Sequence, residues 1–237
     1  MNKLLSSIII LLGTANIATA TGHDQYNWAG VYAGLNLGSI WTNSHLTANH
    51  EFFISETATY SQNLNSTNVN PGFQFGYLQQ LDNNWVVGGE ADFSYPATSN
   101  TYTNQWSGDP GVWDRFNVRN NLQGSLRLRA GYTIDRFLPF ITAGVSFASM
   151  GLYYDNEEQN SANAYSTSTT QTGWVLGGGL EYGVLDNLSV RTEYLYTDYG
   201  NALNMNMPNV AGIPDPNGAA HVNMSTNVLR AAVNYRF

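Results

Sequence analysis

Cysteine is absent from this chain of 237 residues. Its absence excludes a disulfide framework, a thiolate metal site and thiol catalysis. Lysine is reduced to a single residue, Lys3, and the formal net charge is −8. So acidic a chain does not suit a nucleic-acid partner, because phosphate recognition draws on a basic surface. Charge of either sign is scarce, at 11% of residues, where soluble domains carry about a quarter. Long apolar runs are missing too, and the mean hydropathy of −0.26 excludes a bundle of apolar membrane helices.

What fills the space is Asn, Ser, Thr, Gly and 15 Tyr, with aromatics at 13%. Disordered chains have few aromatics and high charge, so disorder is excluded as well. Small polar residues mixed with aromatics suit strands that are apolar on one face.

Residues 1–20 have the form of a cleaved secretory leader. Lys3 supplies the positive start, 4–12 a short apolar core, and Ala18-Thr19-Ala20 a small-x-small cleavage site. The apolar run is too short to span a bilayer, which takes about 20 residues. A single domain, 21–237, remains. It has lost its one lysine, and no later stretch could form a transmembrane helix. If this domain sits in a membrane, it crosses as strands.

The C-terminus shows the pattern most clearly. Leu229, Ala231, Val233, Tyr235 and Phe237 alternate with Val228, Arg230, Ala232, Asn234 and Arg236, the period of two that belongs to a β-strand. The same alternation predicts strands at 28–42, 69–81, 85–95, 119–132, 137–150, 171–184 and 188–198, with the eighth at 227–237. The connections between them alternate in length. Short turns are expected at 82–84, 133–136 and 185–187, and long polar loops at 43–68, 96–118, 151–170 and 199–226. Successive antiparallel connections lie at opposite ends of a barrel, so the long loops gather at one end and the short turns at the other. The expectation is an all-β, eight-stranded, antiparallel up-and-down transmembrane β-barrel. It has four long outer loops and three short periplasmic turns. A soluble eight-stranded carrier would instead turn its apolar face inward.

If the apolar face meets lipid, the other face lines the lumen. There it places Glu90, Asp92, Glu181 and Glu193 with Arg127, Arg129, Arg191 and Arg230. Four acids balance four bases. Eight strands enclose only room enough for their own side chains, so an internal ion-pair network is expected ahead of a conducting constriction. Aromatics near the strand ends, among them Trp28, Trp41, Trp85, Tyr132, Trp174, Tyr194 and Tyr235, have the placing of interfacial girdles. His45 and His50 in the first outer loop and His221 in the fourth are candidate ligands for hemin or a metal. Arg115 and Arg119, near the outer rim, are candidate contacts for lipopolysaccharide phosphates. No serine–histidine pair is evident from the strand positions, so no hydrolytic site and no cofactor is expected.

Several segments resemble the small outer-membrane β-barrel proteins of alphaproteobacteria. They are Trp28-x-Gly30-x-Tyr32-x-Gly34, Gly88-Gly89-Glu90-Ala91-Asp92-Phe93, Leu126-Arg127-x-Arg129-Ala130-Gly131-Tyr132, Glu193-Tyr194-x-Tyr196-x-Asp198-Tyr199-Gly200 and the terminal Asn234-Tyr235-Arg236-Phe237. That group holds surface antigens, proposed porins and hemin-binding proteins, and is more distantly like the OmpA transmembrane domain. The resemblance implies an integral protein of the cell outer membrane of a Gram-negative bacterium, and no enzymatic activity. Its implied role is structural and surface-interacting, with a narrow porin or a hemin-binding receptor as alternatives. It also implies several partners. These are outer-membrane lipid and lipopolysaccharide, the barrel-assembly machinery acting through the strand that ends in Phe237, and a host or small-molecule ligand at the outer loops.

Overall fold

The structure is a computed structural model that describes residues 26–52, 56–96, 98–105, 113–158, 161–206, 209–210, 213–214 and 219–237. The expected leader lies outside the described residues.

The strands are β1 (Gly30–Phe52), β2 (Glu56–Gln80), β3 (Trp85–Ser94), β4 (Thr98–Gln105), β5 (Trp113–Tyr132), β6 (Phe137–Glu158), β7 (Ser161–Leu185), β8 (Leu188–Asn206), β9 (Asn209–Val210), β10 (Ile213–Pro214) and β11 (Ala219–Arg236). Neighbours pair antiparallel in the order β3-β2-β1-β11-β8-β7-β6-β5-β4, and β3 also pairs with β5. That last pairing closes the ring. A closed ring leaves no sheet edge facing hydrocarbon, as a membrane-crossing sheet requires. The first and last strands run together from Tyr32↔Arg236 to Asn49↔Ala219, and the Phe237 amide adds a bond to the Val31 carbonyl at 3.0 Å. β3 and β4 form one wall position of the eight. They are separated at Pro96, which has no amide hydrogen to continue a ladder.

The faces are sorted as a bilayer demands. Leu35, Leu128 and Ile141 are 72%, 76% and 68% exposed, whereas Glu90 and Arg127 are 5% and 3% exposed. Greasy side chains therefore clothe the cylinder and charged ones fill it. Aromatic pairs on neighbouring strands ring the short-turn end, with Trp85 against Tyr132 at 5.7 Å and Phe137 against Tyr182 at 4.7 Å. Trp174 meets Tyr196 at 5.3 Å near the other end. Two such girdles mark the two membrane interfaces.

Asn84 (φ 66°) and Asp135 (φ 54°) take left-handed conformations in the first two short turns, which their side chains tolerate better than most. Turns bond to one another around the rim: Thr133 N–H donates to Asn84 O and Gly183 N–H to Arg136 O, both at 2.9 Å.

The strands outrun the alternation that predicted them. β1 and β2 remain paired up to Phe52↔Glu56, and β6 and β7 up to Glu158↔Ser161, through segments expected as loops. Above the membrane the outward face meets water in place of lipid, while the inward Ser44, Leu46, Val222 and Met224 stay buried. The polar–apolar alternation then disappears while Thr, Ser and Tyr still favour the ladder. Up there the ring opens into two four-stranded blades. Among the described residues the β7–β8 ladder ends at Trp174↔Asp198, and the β2–β3 ladder at Gly72↔Ser94 with one further bond from Tyr95 N–H to Pro71 O at 2.9 Å. Beyond those points one blade is β2-β1-β11-β8 and the other is β4-β5-β6-β7.

One aromatic departs from its expected place. Trp28 is fully buried rather than at the lipid interface. It lies inside the short-turn mouth with Tyr26, Tyr32, Leu78, Val86 and Leu138. Its amide donates to Gln80 Oε1 at 2.8 Å, and the Arg236 guanidinium sits 5.2 Å from its ring. Tyr26 and Trp28, just before β1, therefore turn into the barrel instead of continuing its wall. Trp28→Ala is expected to cost about 3–5 kcal/mol, as large aromatic truncations in packed interiors do, and Trp85→Ala on the lipid face clearly less. Urea titrations of the two refolded variants would test the placement, and equal midpoints would contradict it.

Candidate functional site

The lumen at mid-membrane holds a balanced charge of four acids and four arginines. Inward positions on β3, β5, β7, β8 and β11 carry it, and inward glycines make room. A Cβ on Gly38 would come within 2.6 Å of Arg230 Cβ, and one on Gly144 within 2.7 Å of Arg127 Cα. The nearest atoms of all are the neighbouring carbonyls, Leu229 O at 2.4 Å and Leu126 O at 2.0 Å, so the close approach of backbone beside the arginines requires glycine.

Six of the eight charges form one cluster. Arg127 lies at its centre, contacting Glu90, Asp92 Oδ2 at 3.0 Å and Glu193 Oε1 at 2.5 Å. Arg191 pairs with Glu90 and lies 3.5 Å from Glu193. Arg230 reaches Asp92 at 3.3 Å and Glu193 at 3.2 Å. The Tyr32 hydroxyl donates to Glu90, and Ser125 Oγ donates to Asp92 at 2.5 Å.

The other two charges lie nearer the short turns. Arg129 pairs with Glu181, whose Oε1 also accepts from Ser189 at 2.5 Å and from Asn234 at 2.8 Å. Gln74 bridges Asn36 and Asn234. The Arg129 guanidinium stacks 3.6 Å from the centre of the Phe140 ring, a cation–π contact strengthened by the dry surroundings.

All eight residues that the alternation placed inside are therefore brought together, but partner choice follows distance across the lumen. Glu90 and Arg127 are opposite one another on adjacent strands and do pair. Glu181 and Arg191 are also opposite, yet Arg191 reaches over to Glu90 while Glu181 takes Arg129. Tyr32, Phe140 and Asn234 were not singled out from the sequence. Their inward parity was the available signal.

The lumen is closed on both sides of this layer. Ile40, Val175, Leu195 and Val228 form an apolar cluster toward the outer end, and the Trp28 group fills the inner mouth. The cavity beside Asp92 and Arg230 measures about 20 Å³, room on the order of one water. Each carboxylate already faces a guanidinium. The arrangement therefore supplies cohesion and obstruction.

His45 and His221 lie on the outer wall. His45 Nδ1 is 2.8 Å from Asn63 Oδ1, and its Nε2 is 3.1 Å from Ser61 Oγ. One tautomer satisfies both, with Nδ1–H donating and Nε2 accepting. A serine–histidine contact thus exists that the strand positions did not anticipate, because 43–68 was expected as a long polar loop. Ser61 is exposed and does not line the neighbouring groove. His221 Nδ1 is 2.5 Å from Asn204 Oδ1. It pairs with Thr47, and His45 with Asn223, so the two imidazoles are diagonal neighbours on one face. His50 is opposite Ala58, and its side chain lies outside the described residues. Among the described residues no group of three or more His, Asp or Glu is placed to hold a metal ion. Arg115 and Arg119 are in the other blade, opposite Asp155 and Gly151, and their side chains too lie outside the described residues.

A family model described as outer membrane protein beta-barrel domain matches residues 7–237. The 31 kDa outer-membrane immunogenic protein of Brucella melitensis biotype 1 is 27% identical over 247 residues, covering 99% of this chain and 98% of that one. The 25 kDa outer-membrane immunogenic protein of Brucella ovis is 30% identical over 180 residues, covering 76% and 73%. Among solved structures, the outer membrane protein OprG of Pseudomonas aeruginosa matches with a TM-score of 0.53 at 11% identity, covering 88% and 97%. That likeness is one of fold.

Proposed function

The chain belongs to the outer membrane protein β-barrel family, and from that premise we propose that it is a non-conducting barrel with a structural and surface-interaction role. It resides in the outer membrane of a Gram-negative bacterium, as its Brucella relatives do by name. The observation that carries the proposal is the filled lumen: a charge-balanced, buried network of four acids and four arginines between two apolar layers. A permeation path through it would have to break pairs that are costly to break. The rigid cylinder then serves to hold two polar blades outside the cell, where they meet lipopolysaccharide and any host ligand. The word immunogenic in the names of the Brucella relatives supports surface exposure. The last strand, with Tyr235 and Phe237 on its lipid face, is the segment the barrel-assembly machinery would read.

Refolded protein in a planar bilayer is expected to give no discrete current steps across the physiological voltage range. Reproducible unitary steps would overturn the reading in favour of a narrow porin.

A further inference from the structure

A groove of about 410 Å³ is cut into the outer wall where β2, β1, β11 and β8 emerge from the membrane. Asn43, Asn63, Asn65 and Asn223 line it, with Asp198 and the Tyr196 ring at one side and the His45 ring among the amides. Its origin is a β-bulge. The register between β11 and β8 slips between Asn223↔Asn201 and Ser225↔Asp198, so that Tyr199 and Gly200 on β8 stand against Met224 alone on β11, one extra residue. Gly200 takes the left-handed conformation there, with φ 57°, and its amide donates to Asp198 Oδ1 at 2.7 Å. A Cβ at Gly200 would find nothing within 4 Å. The wall is therefore open at this point, as bulges beside binding sites often leave it.

The height of the groove is informative. On the same outward face, the next residues toward the membrane are Trp41 on β1, Val69 after Thr67 on β2, and Leu229 after Asn227 on β11. Tyr194, whose hydroxyl donates to Asn227 Oδ1 at 2.5 Å, belongs to the aromatic girdle. The groove thus begins where the girdle ends, on the side of the wall that faces lipid molecules. The groove therefore opens at the level of the outer-leaflet headgroups.

Its chemistry selects the part of the headgroup. Among the described residues no Arg or Lys lines it, and phosphate recognition relies on such cations. Four carboxamides and one carboxylate instead offer donors and acceptors side by side, the complement of a polyhydroxylated ring. Tyr196 and His45 supply flat apolar faces of the kind that pack on sugar rings. The imidazole is held still by Asn63 and Ser61, which lowers the ordering cost of such a contact.

We infer that this groove binds the sugar portion of the outer-leaflet glycolipid, seating the barrel in lipopolysaccharide by its wall. The inference deepens the proposed surface-interaction role and rests on it for the membrane orientation. It does not depend on whether the lumen conducts, so the bilayer-current experiment and the one below can fail separately.

The test uses the refolded full barrel in detergent and an Asn65→Leu/Asn223→Leu variant, with heat-modifiable gel mobility checking that both are folded. The probes are lipopolysaccharide carrying its core sugars, lipid A alone, and the deacylated core oligosaccharide. Affinity is read by native mass spectrometry. The expected result is about a tenfold loss of affinity for core-bearing lipopolysaccharide in the variant, the scale of one or two lost hydrogen bonds, with lipid A bound equally by both proteins. An unchanged affinity for core-bearing lipopolysaccharide overturns the inference, and so does an equal loss for lipid A. Free oligosaccharide binding as tightly as the intact glycolipid also overturns it, because the source is then a soluble glycan. If the variant fails to fold, the single substitution Asn43→Leu replaces it, with the same three readings.

Discussion

Arg127→Ala is expected to destabilise the barrel by about 3–5 kcal/mol, the cost of removing one partner from a buried ion pair. The physical reason is the number of charges left behind. Arg127 touches Glu90, Asp92 and Glu193, and its side chain is wholly screened from solvent. Alanine leaves three carboxylates sharing two guanidiniums in a space too narrow to rehydrate them. Glu90 and Asp92 are already held by Arg191 and Arg230, which explains why the loss is finite. Arg127→Lys is expected to recover part of the stability and not all, since one ammonium cannot meet three carboxylates with the geometry of a planar guanidinium. Urea titration in lipid vesicles gives the ordering: wild type, then lysine, then alanine. A shift below about 1 kcal/mol for alanine would show that the network is hydrated and exerts little hold.

The next residue along β5 points the other way, and this sets up the second large effect. Leu128 is 76% exposed on the lipid face and lies within the membrane-crossing part of β5, between Leu122 and Tyr132 on the same face. Leu128→Arg is expected to cost about 2–4 kcal/mol in a bilayer, the range for a basic residue near the midplane of such a barrel. Leu128→Ala should cost much less, because lipid chains close over the missing side chain. Folding yield into vesicles, followed by gel mobility, separates the two. Arg at 128 folding as readily as Ala would place this face in water and remove the membrane orientation. The two experiments form a pair, since one arginine is required at 127 and forbidden at 128.

The pair also measures how much of the molecule could be read from residue order. The parity of 127 and 128 follows from alternation alone, and with it the lumenal identity of all eight charged residues. Turn positions were legible as well, because Asp82 to Asn84 and Asp186-Asn187 are residue types that accept tight turns. The upper strands were not. Residues 43–68 and 151–170 lose their apolar period where the outward face leaves lipid for water, although their backbones stay paired. Trp28 misled for a related reason. Its aromatic type fits a girdle, and only the path of the chain before β1 takes it into the mouth of the barrel.

Residue order was thus enough to specify strand number, membrane-facing side and the location of charge, because each depends on a two-residue period that any extended chain must obey. Which carboxylate each arginine holds depends on closure of the ring, which brings β5 opposite β8 and β3 opposite β11 across the lumen. The groove beside Gly200 depends on a register slip between β8 and β11. Neither distance nor register between remote strands is written in a local pattern, so both came into being when the sheet closed on itself.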